Sequence, residues 1–417
     1  MADIAIVSFR KMLHTIYNVL KDSFISATSC FYYSLKTRDK NIWVFGEWFG
    51  NRCCDNCLFL SNYIADHYPE KKLYWIAKDD TDLSSLNRSI VRLTMDANET
   101  ISILKKAGVV FVVQDGRDLT QKPYLYYAGA LTINLWHGVP WKNIGIDVAK
   151  NSQAISLRTL LYVKMQYFFF GEKYYLSLSD KFSKIMKSAF ERDENGIICS
   201  GYPRNSLFYH EDCIADCRRK MESYLLDKYG YLLNNDVCVI TYMPTFRDNN
   251  EDVFSFITYD NEELQSKLEQ WNAILLEKGH YVTTSRKGDN SGKTGRIFSI
   301  DGNYMSQELL AASDVLITDY SSCFFDYLLI DRPIVHYLYD YDYYASADRG
   351  LYYKKEDVVC GDVAYNFDEL ITCVSDNISN PAKNHDLREK RKKQYMKYES
   401  SNSCQEIYSF INSVINK

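Results

Sequence analysis

Short apolar runs alternate with helical stretches along most of this chain, and that alternation restricts the fold more than any other feature of it. Residues 41–46, 72–77, 108–114 and 131–136 read as strands, with helices over 57–67 and 98–106. A second set begins near Val237, with strands at 237–242, 281–284, 315–318 and 333–337 and helices at 262–278, 307–312 and 324–329. A parallel strand pair cannot be closed by a tight hairpin, so strands separated by helices imply crossover connections and parallel sheets. The expected fold class is α/β in two units, with a boundary around residues 205–236. With 417 residues, 46% of them hydrophobic, the chain has material for more than one core.

Ligands of open α/β sheets bind beyond the carboxyl ends of the strands, which makes four junctions candidate sites. At the first, His137 stands between Trp136 and Gly138, with Lys142 close behind. Its near-neutral pKa suits a general base, and the glycine permits close approach of a ligand; a histidine satisfied by packing is the alternative. The second junction, Ser200–Asn205, sets Arg204 in a turn fixed by Gly201 and Pro203, as a bidentate donor to phosphate or as a surface ion pair. The third carries Thr245, Arg247 and Asp248, and Arg247 is suited to neutralise a pyrophosphate or, like Arg204, to form a surface ion pair. At the fourth, the strand ending in Thr318 opens onto Asp319, Tyr320, Ser321 and Ser322 before a Phe-rich helix that bears Asp326. Unpaired N–H groups and the helix dipole favour an anion there, with Asp319 as cap or orienter; an ordinary capped helix has an equal claim.

A net charge of -5 argues against a general nucleic-acid binder, but the charge is uneven. Residues 1–40 carry six Lys/Arg against three Asp, and apolar residues from Ile4 to Ile25 recur there at helical spacing. No run approaches the roughly 18 apolar residues that a spanning helix needs, so this segment either lies on an anionic membrane surface or packs on the body of the protein. The 12 cysteines lie singly apart from Cys53, Cys54 and Cys57, which suits reduced thiols in the cytoplasm. No compact Asp/Glu cluster asks for a metal, and Mg2+ would be an addition rather than a requirement.

In this order, WHGVPWKNIG (136–145), GYPRN (201–205), YMPTFRD (242–248) and ITDYSSCFFDYLLIDRP (317–333) resemble the motif series of the CDP-glycerol glycerophosphotransferases, which build teichoic acids and related capsules. Arg349-Gly350-Leu351-Tyr352 and, more faintly, Asp55-Asn56 extend the likeness over about residues 41–400. The resemblance implies a GT-B-like fold of two Rossmann-like domains with the active site in the cleft between them. An N-terminal amphipathic segment (1–40) would precede an acceptor-side domain (41–205) and a nucleotide-donor domain (206–400), and a last helix (401–417) would cross back to the first domain. It further implies transfer of glycerol or ribitol phosphate from CDP-glycerol or CDP-ribitol to a hydroxyl of a lipid-linked glycan or polyol-phosphate acceptor, with release of CMP. The enzyme would be peripheral on the inner face of the cytoplasmic membrane and need no cofactor. His137 would take the acceptor proton. Gly138, Pro203, Arg204, Asn205, Thr245, Arg247, Asp248, Thr318, Asp319, Tyr320, Ser321, Ser322 and Asp326 would bind the donor.

One departure is expected. The family follows a strand of its second domain with a His-Pro pair, whereas Thr283–Asp289 holds no histidine, so Arg286 or Lys287 is expected to take over a phosphate contact. Two rival readings follow. A GT-B glycosyltransferase would stack its sugar on Tyr339, Tyr341, Tyr343 and Tyr344, and a non-catalytic membrane-peripheral scaffold has only the missing histidine in its favour.

Overall fold

The computed structural model describes residues 21–151, 171–245, 253–259, 262–279, 292–347 and 350–416, with Asn18, Lys164 and Tyr167. The chain is α/β and is organised on two seven-stranded sheets. The first contains β1 (Asp39–Gly46), β2 (Lys72–Ala77), β3 (Val91–Thr94), β4 (Ala107–Val112), β5 (Leu131–Asn134), β6 (Tyr174–Ser177) and β7 (Ile197–Cys199). Its order is β3-β2-β1-β4-β5-β6-β7, and every neighbouring pair is parallel. The second contains β8 (Cys238–Met243), β9 (Ala273–Glu277), β10 (Lys293–Thr294), β11 (Ile297–Ser299), β12 (Val315–Thr318), β13 (Ile334–Tyr337) and β14 (Asp362–Ala364). Its order is β10-β11-β9-β8-β12-β13-β14, parallel except for the β10/β11 pair.

The continuous apolar runs of the sequence follow from this architecture, because a parallel strand with helices on both faces buries successive residues alike. Trp43, Val44 and Phe45 in β1 and Phe111 in β4 are fully buried, and the Phe45 and Phe111 rings stack at 4.3 Å. Each sheet reverses its winding once, between β1 and β4 in the first and between β8 and β12 in the second. Such a reversal leaves a crevice beyond the carboxyl ends of the two strands, and the loops that form the site leave from these ends.

The helix Ser403–Ile415 returns to the first sheet's side. Tyr408 stacks on Tyr68 at 3.6 Å, and Gln405 Oε1 accepts from the hydroxyls of Tyr63 and Tyr68 at 2.5 and 2.7 Å, beside the helix Asn56–His67. At the other end, residues 21–34 are helical. Ser26 Oγ donates to Pro123 O at 2.8 Å, and Ser29 Oγ accepts from Leu125 N at 2.9 Å, while Phe24, Phe31 and Leu35 stay 71%, 71% and 72% exposed. Apart from Asn18, the first twenty residues, with most of the expected amphipathic pattern, lie outside the described residues.

The expected helix over 262–278 is two elements. The helix ends at Gln270, Asn272 turns the chain with φ 46°, and Ala273–Glu277 is β9, paired with β8. The expected strand at 281–284 lies outside the described residues.

Candidate active site

His137 sits past the end of β5 in a backbone held from three sides. Asn56 Nδ2 donates to Leu135 O and Trp136 O at 3.2 and 2.8 Å, and Asn134 Oδ1 accepts from Trp136 N at 2.9 Å. Trp136 has φ 56°, while Trp48 and Phe49 have φ 47° and 58°, left-handed values that bulky side chains rarely adopt. Both tryptophans pack on the histidine ring, Trp136 at 4.5 Å and Trp48 at 5.4 Å between centroids. His137 Nδ1 lies 2.8 Å from Val113 O. A carbonyl only accepts, so Nδ1 carries the hydrogen and Nε2 is the basic nitrogen. Burial lowers the pKa of the ring, outweighing the Val113 bond and the nearby Asp55 carboxylate, so the ring is neutral at pH 7.

Arg204 differs from its expected role. Its Nη1 donates to Asp55 Oδ1 at 2.8 Å and to His137 O at 3.0 Å, and its Nη2 donates to Asp326 Oδ2 at 2.7 Å. Asp55 belongs to the loop after β1, and Asp326 to the helix Cys323–Tyr327 after β12. The guanidinium is thus buried between one carboxylate from each side and ties the two sheets together under the histidine. Asn205 joins the same knot, donating to Asp326 Oδ1 and to Glu399 Oε1 at 3.1 and 2.8 Å. Pro203 opens the buried 3-10 turn Pro203–Tyr209 that presents both residues.

On the second sheet, Asp319 organises the strand ends. Its Oδ1 accepts from Thr245 N at 2.8 Å and from Tyr320 N at 2.6 Å, while Thr318 Oγ1 donates to Met243 O at 2.8 Å. Tyr320 stacks on Tyr344 at 3.5 Å and donates to Asp340 Oδ1 at 2.9 Å. Ser321 and Ser322 face the cleft. Gly138 lies so close to the Ser322 hydroxyl that a Cβ would collide with it, and its N–H donates to Tyr202 Oη at 3.2 Å. Lys142 and Leu351 form an antiparallel bridge beside it, and Trp141 Nε1 donates to Tyr353 O at 2.9 Å, which clasps the two halves at one end of the cleft.

The cleft holds about 770 Å3 of empty space, part of it open to solvent, and brings together His137, Arg204, Ser321, Ser322 and Asp326. Gly138, Pro203, Asn205, Thr245, Thr318, Asp319 and Tyr320 support its walls. Arg247, Asp248, Arg286 and Arg349 lie outside the described residues. Motif reading missed several contributors among the described residues. Trp48, Arg52 and Gln307 line the cleft, with Gln307 Nε2 on Asp326 Oδ2 at 3.2 Å, and Lys278 follows β9 directly. The expected loss of the second histidine also needs correction. It rested on a strand at 281–284, but β9 ends at Glu277 and is followed by Lys278, Gly279 and His280, so a histidine does follow the strand, with Tyr281 where a proline was expected. His280 itself lies outside the described residues.

The family model described as CDP-Glycerol:Poly(glycerophosphate) glycerophosphotransferase matches residues 29–413. A teichoic acid glycerol-phosphate transferase of Staphylococcus aureus is 28% identical over 333 residues, 77% of this chain and 80% of that protein. A teichoic acid poly(glycerol phosphate) polymerase of Staphylococcus epidermidis is 29% identical over 82% of this chain, which spans 47% of that longer protein. The wall teichoic acid polymerase TagF has the same fold, with a TM-score of 0.75 at 23% identity over 99% of this chain and 98% of that one.

Proposed function

The chain is an enzyme of the CDP-glycerol:poly(glycerophosphate) glycerophosphotransferase family, and on that footing we propose that it moves glycerol phosphate or ribitol phosphate from a CDP-alditol to a hydroxyl of a membrane-linked glycan or polyol-phosphate acceptor. The product would be a teichoic acid or capsule-type polymer. The observation that carries this reading is the His137 ring, neutral and fixed in one tautomer with its basic nitrogen available at a cleft between two doubly wound sheets. In this reading the two sheets form a GT-B-like pair, with the acceptor over the first and the donor over the second.

The acceptor oxygen attacks the β-phosphorus, and its proton passes to His137 Nε2. The bond from that phosphorus to the bridging oxygen breaks, and CMP leaves with the electron pair. Positioning and charge stabilisation supply most of the rate in such a transfer. Ser321 and Ser322 serve the pyrophosphate on the second side, and the scheme requires no cofactor. The Arg204 tie supports it indirectly, because it fixes the histidine loop relative to Asp326 on the donor side. No helix among the described residues is long and apolar enough to cross a membrane. The exposed Phe24 and Phe31 on helix 21–34, with Leu35 just beyond its end, support a peripheral seat on the cytoplasmic face, where a lipid-linked acceptor would be met.

Sugar transfer draws less support, because Tyr344 is engaged by Tyr320, and Tyr339 by Tyr337 and Phe254. The test is a donor panel of CDP-glycerol, CDP-ribitol and nucleotide sugars offered with a lipid-linked acceptor. CMP release from a CDP-alditol is expected, and UDP release without CMP would replace this reading with a glycosyltransferase.

A further inference from the structure

Lys278 is 4% exposed, and its backbone N–H donates to Tyr242 O at 3.0 Å. Among the described residues its ammonium has one hydrogen-bond partner, the Gly302 carbonyl at 3.2 Å. The same oxygen accepts from Arg52 Nη2 at 3.1 Å, so a cation from the β1 side and one from the end of β9 converge on one neutral acceptor. Among the described residues, Asp55 and Asp326 are engaged by Arg204, Asp301 by Lys228, and Glu308 by Lys220. The Glu277 carboxylate turns away to the N–H groups of Phe256 and Ile257. Among the described residues, the titratable groups that face the amine are Arg52 and the thiols of Cys54 and Cys323. Burial, and then Arg52, lowers its pKa to about 7. A buried amine beside a like charge works against the fold unless an anion joins it. Lys278 and Arg52 line the same cleft as His137, Ser321 and Ser322.

We propose that Lys278 and Arg52 seat the bridging phosphates of the donor, and that Lys278 takes up a proton from solvent as the donor binds. The inference rests on the CDP-alditol reading and adds to it a residue pair and a protonation step. Arg204 cannot fill this role, since two carboxylates already neutralise it. In the free enzyme at about pH 8 most Lys278 side chains are neutral, and a pyrophosphate alongside raises their pKa and draws a proton in. The donor's own phosphates do not titrate near that pH, so the uptake belongs to the protein.

Calorimetric titration of the full chain with CDP-glycerol and CDP-ribitol, at about pH 8 in buffers of small and large ionisation enthalpy, reads this uptake directly. The wild-type enzyme is expected to take up close to one proton per donor bound. Lys278→Arg, charged at every pH, should bind the donor without that uptake. Lys278→Met should bind about 10- to 100-fold more weakly, the cost of losing a charged hydrogen-bond donor. Thermal melts establish that the variants are folded; if Lys278→Met is not, the comparison with Lys278→Arg decides. Equal proton uptake by the wild type and Lys278→Arg overturns the assignment of Lys278 alone. A wild type that binds neither CDP-alditol overturns the donor reading itself.

Discussion

Because the Val113 carbonyl can only accept, the tautomer of His137 is settled by one contact of 2.8 Å, and burial then keeps the ring neutral. The base form therefore dominates at pH 7, and kcat at saturating donor should show its acidic limb below the ordinary histidine value of 6.5, where the ring protonates. A kcat–pH profile checks this; an acidic limb above 6.5 would assign the base to another group. His137→Ala should lower kcat by about 100- to 10,000-fold with little change in donor Kd. At this scale the sequence was legible where a motif meets a strand end, as at His137 and at Ser321 and Ser322. It was not legible for Arg204, whose carboxylate partners lie 149 and 122 residues away. A lone arginine in a turn looks the same whether it awaits phosphate or is already neutralised.

Between residues 262 and 278 two elements share one apolar pattern. Leu264 and Leu268 keep helical spacing, and Ala273–Leu276 continue as an unbroken apolar run, so the break appears only at Asn272, a residue that tolerates the left-handed turn. That reading hid Lys278 and displaced the strand that the histidine follows. The parallel strands β2 and β12 were legible to the residue, because buried parallel strands read as compact apolar blocks. Glu399 had no local signal, yet it holds the turn that carries Arg204 by accepting from Tyr202 N at 3.0 Å and Asn205 Nδ2 at 2.8 Å. Burial outweighs those bonds and raises its pKa from 4.5 to about 8. A carboxyl whose folded pKa lies above its unfolded value stabilises fully below the unfolded one, and that stabilisation is lost as pH rises from 4.5 through about 8. Glu399→Gln keeps an acceptor and removes the titration. Denaturant unfolding should therefore show a smaller loss of stability between about pH 5 and about pH 8 in the variant than in the wild type; equal losses would mean that the carboxyl is ionised in the fold.

Two doubly wound sheets, tied by Arg204 beneath the cleft and clasped by the Lys142–Leu351 bridge at its end, set the neutral His137 ring in one cleft with Lys278 and Arg52. The α/β class was legible in the alternation of elements, whereas contacts between the halves depend on side chains far apart in sequence. Helix 21–34 adds an apolar strip on the outside of the first half. Replacing Phe24, Phe31 and Leu35 together by Ser should weaken sedimentation with anionic liposomes while leaving turnover of a soluble acceptor analogue unchanged; undiminished sedimentation would make the helix purely structural. In the proposed transfer, the bond broken lies between the two phosphorus atoms of the donor. That cleavage is tested most directly with CDP-glycerol or CDP-ribitol carrying isotope in the β-phosphate. The mechanism predicts that the label leaves with the acceptor while unlabelled CMP is released, whereas label recovered in CDP would contradict it.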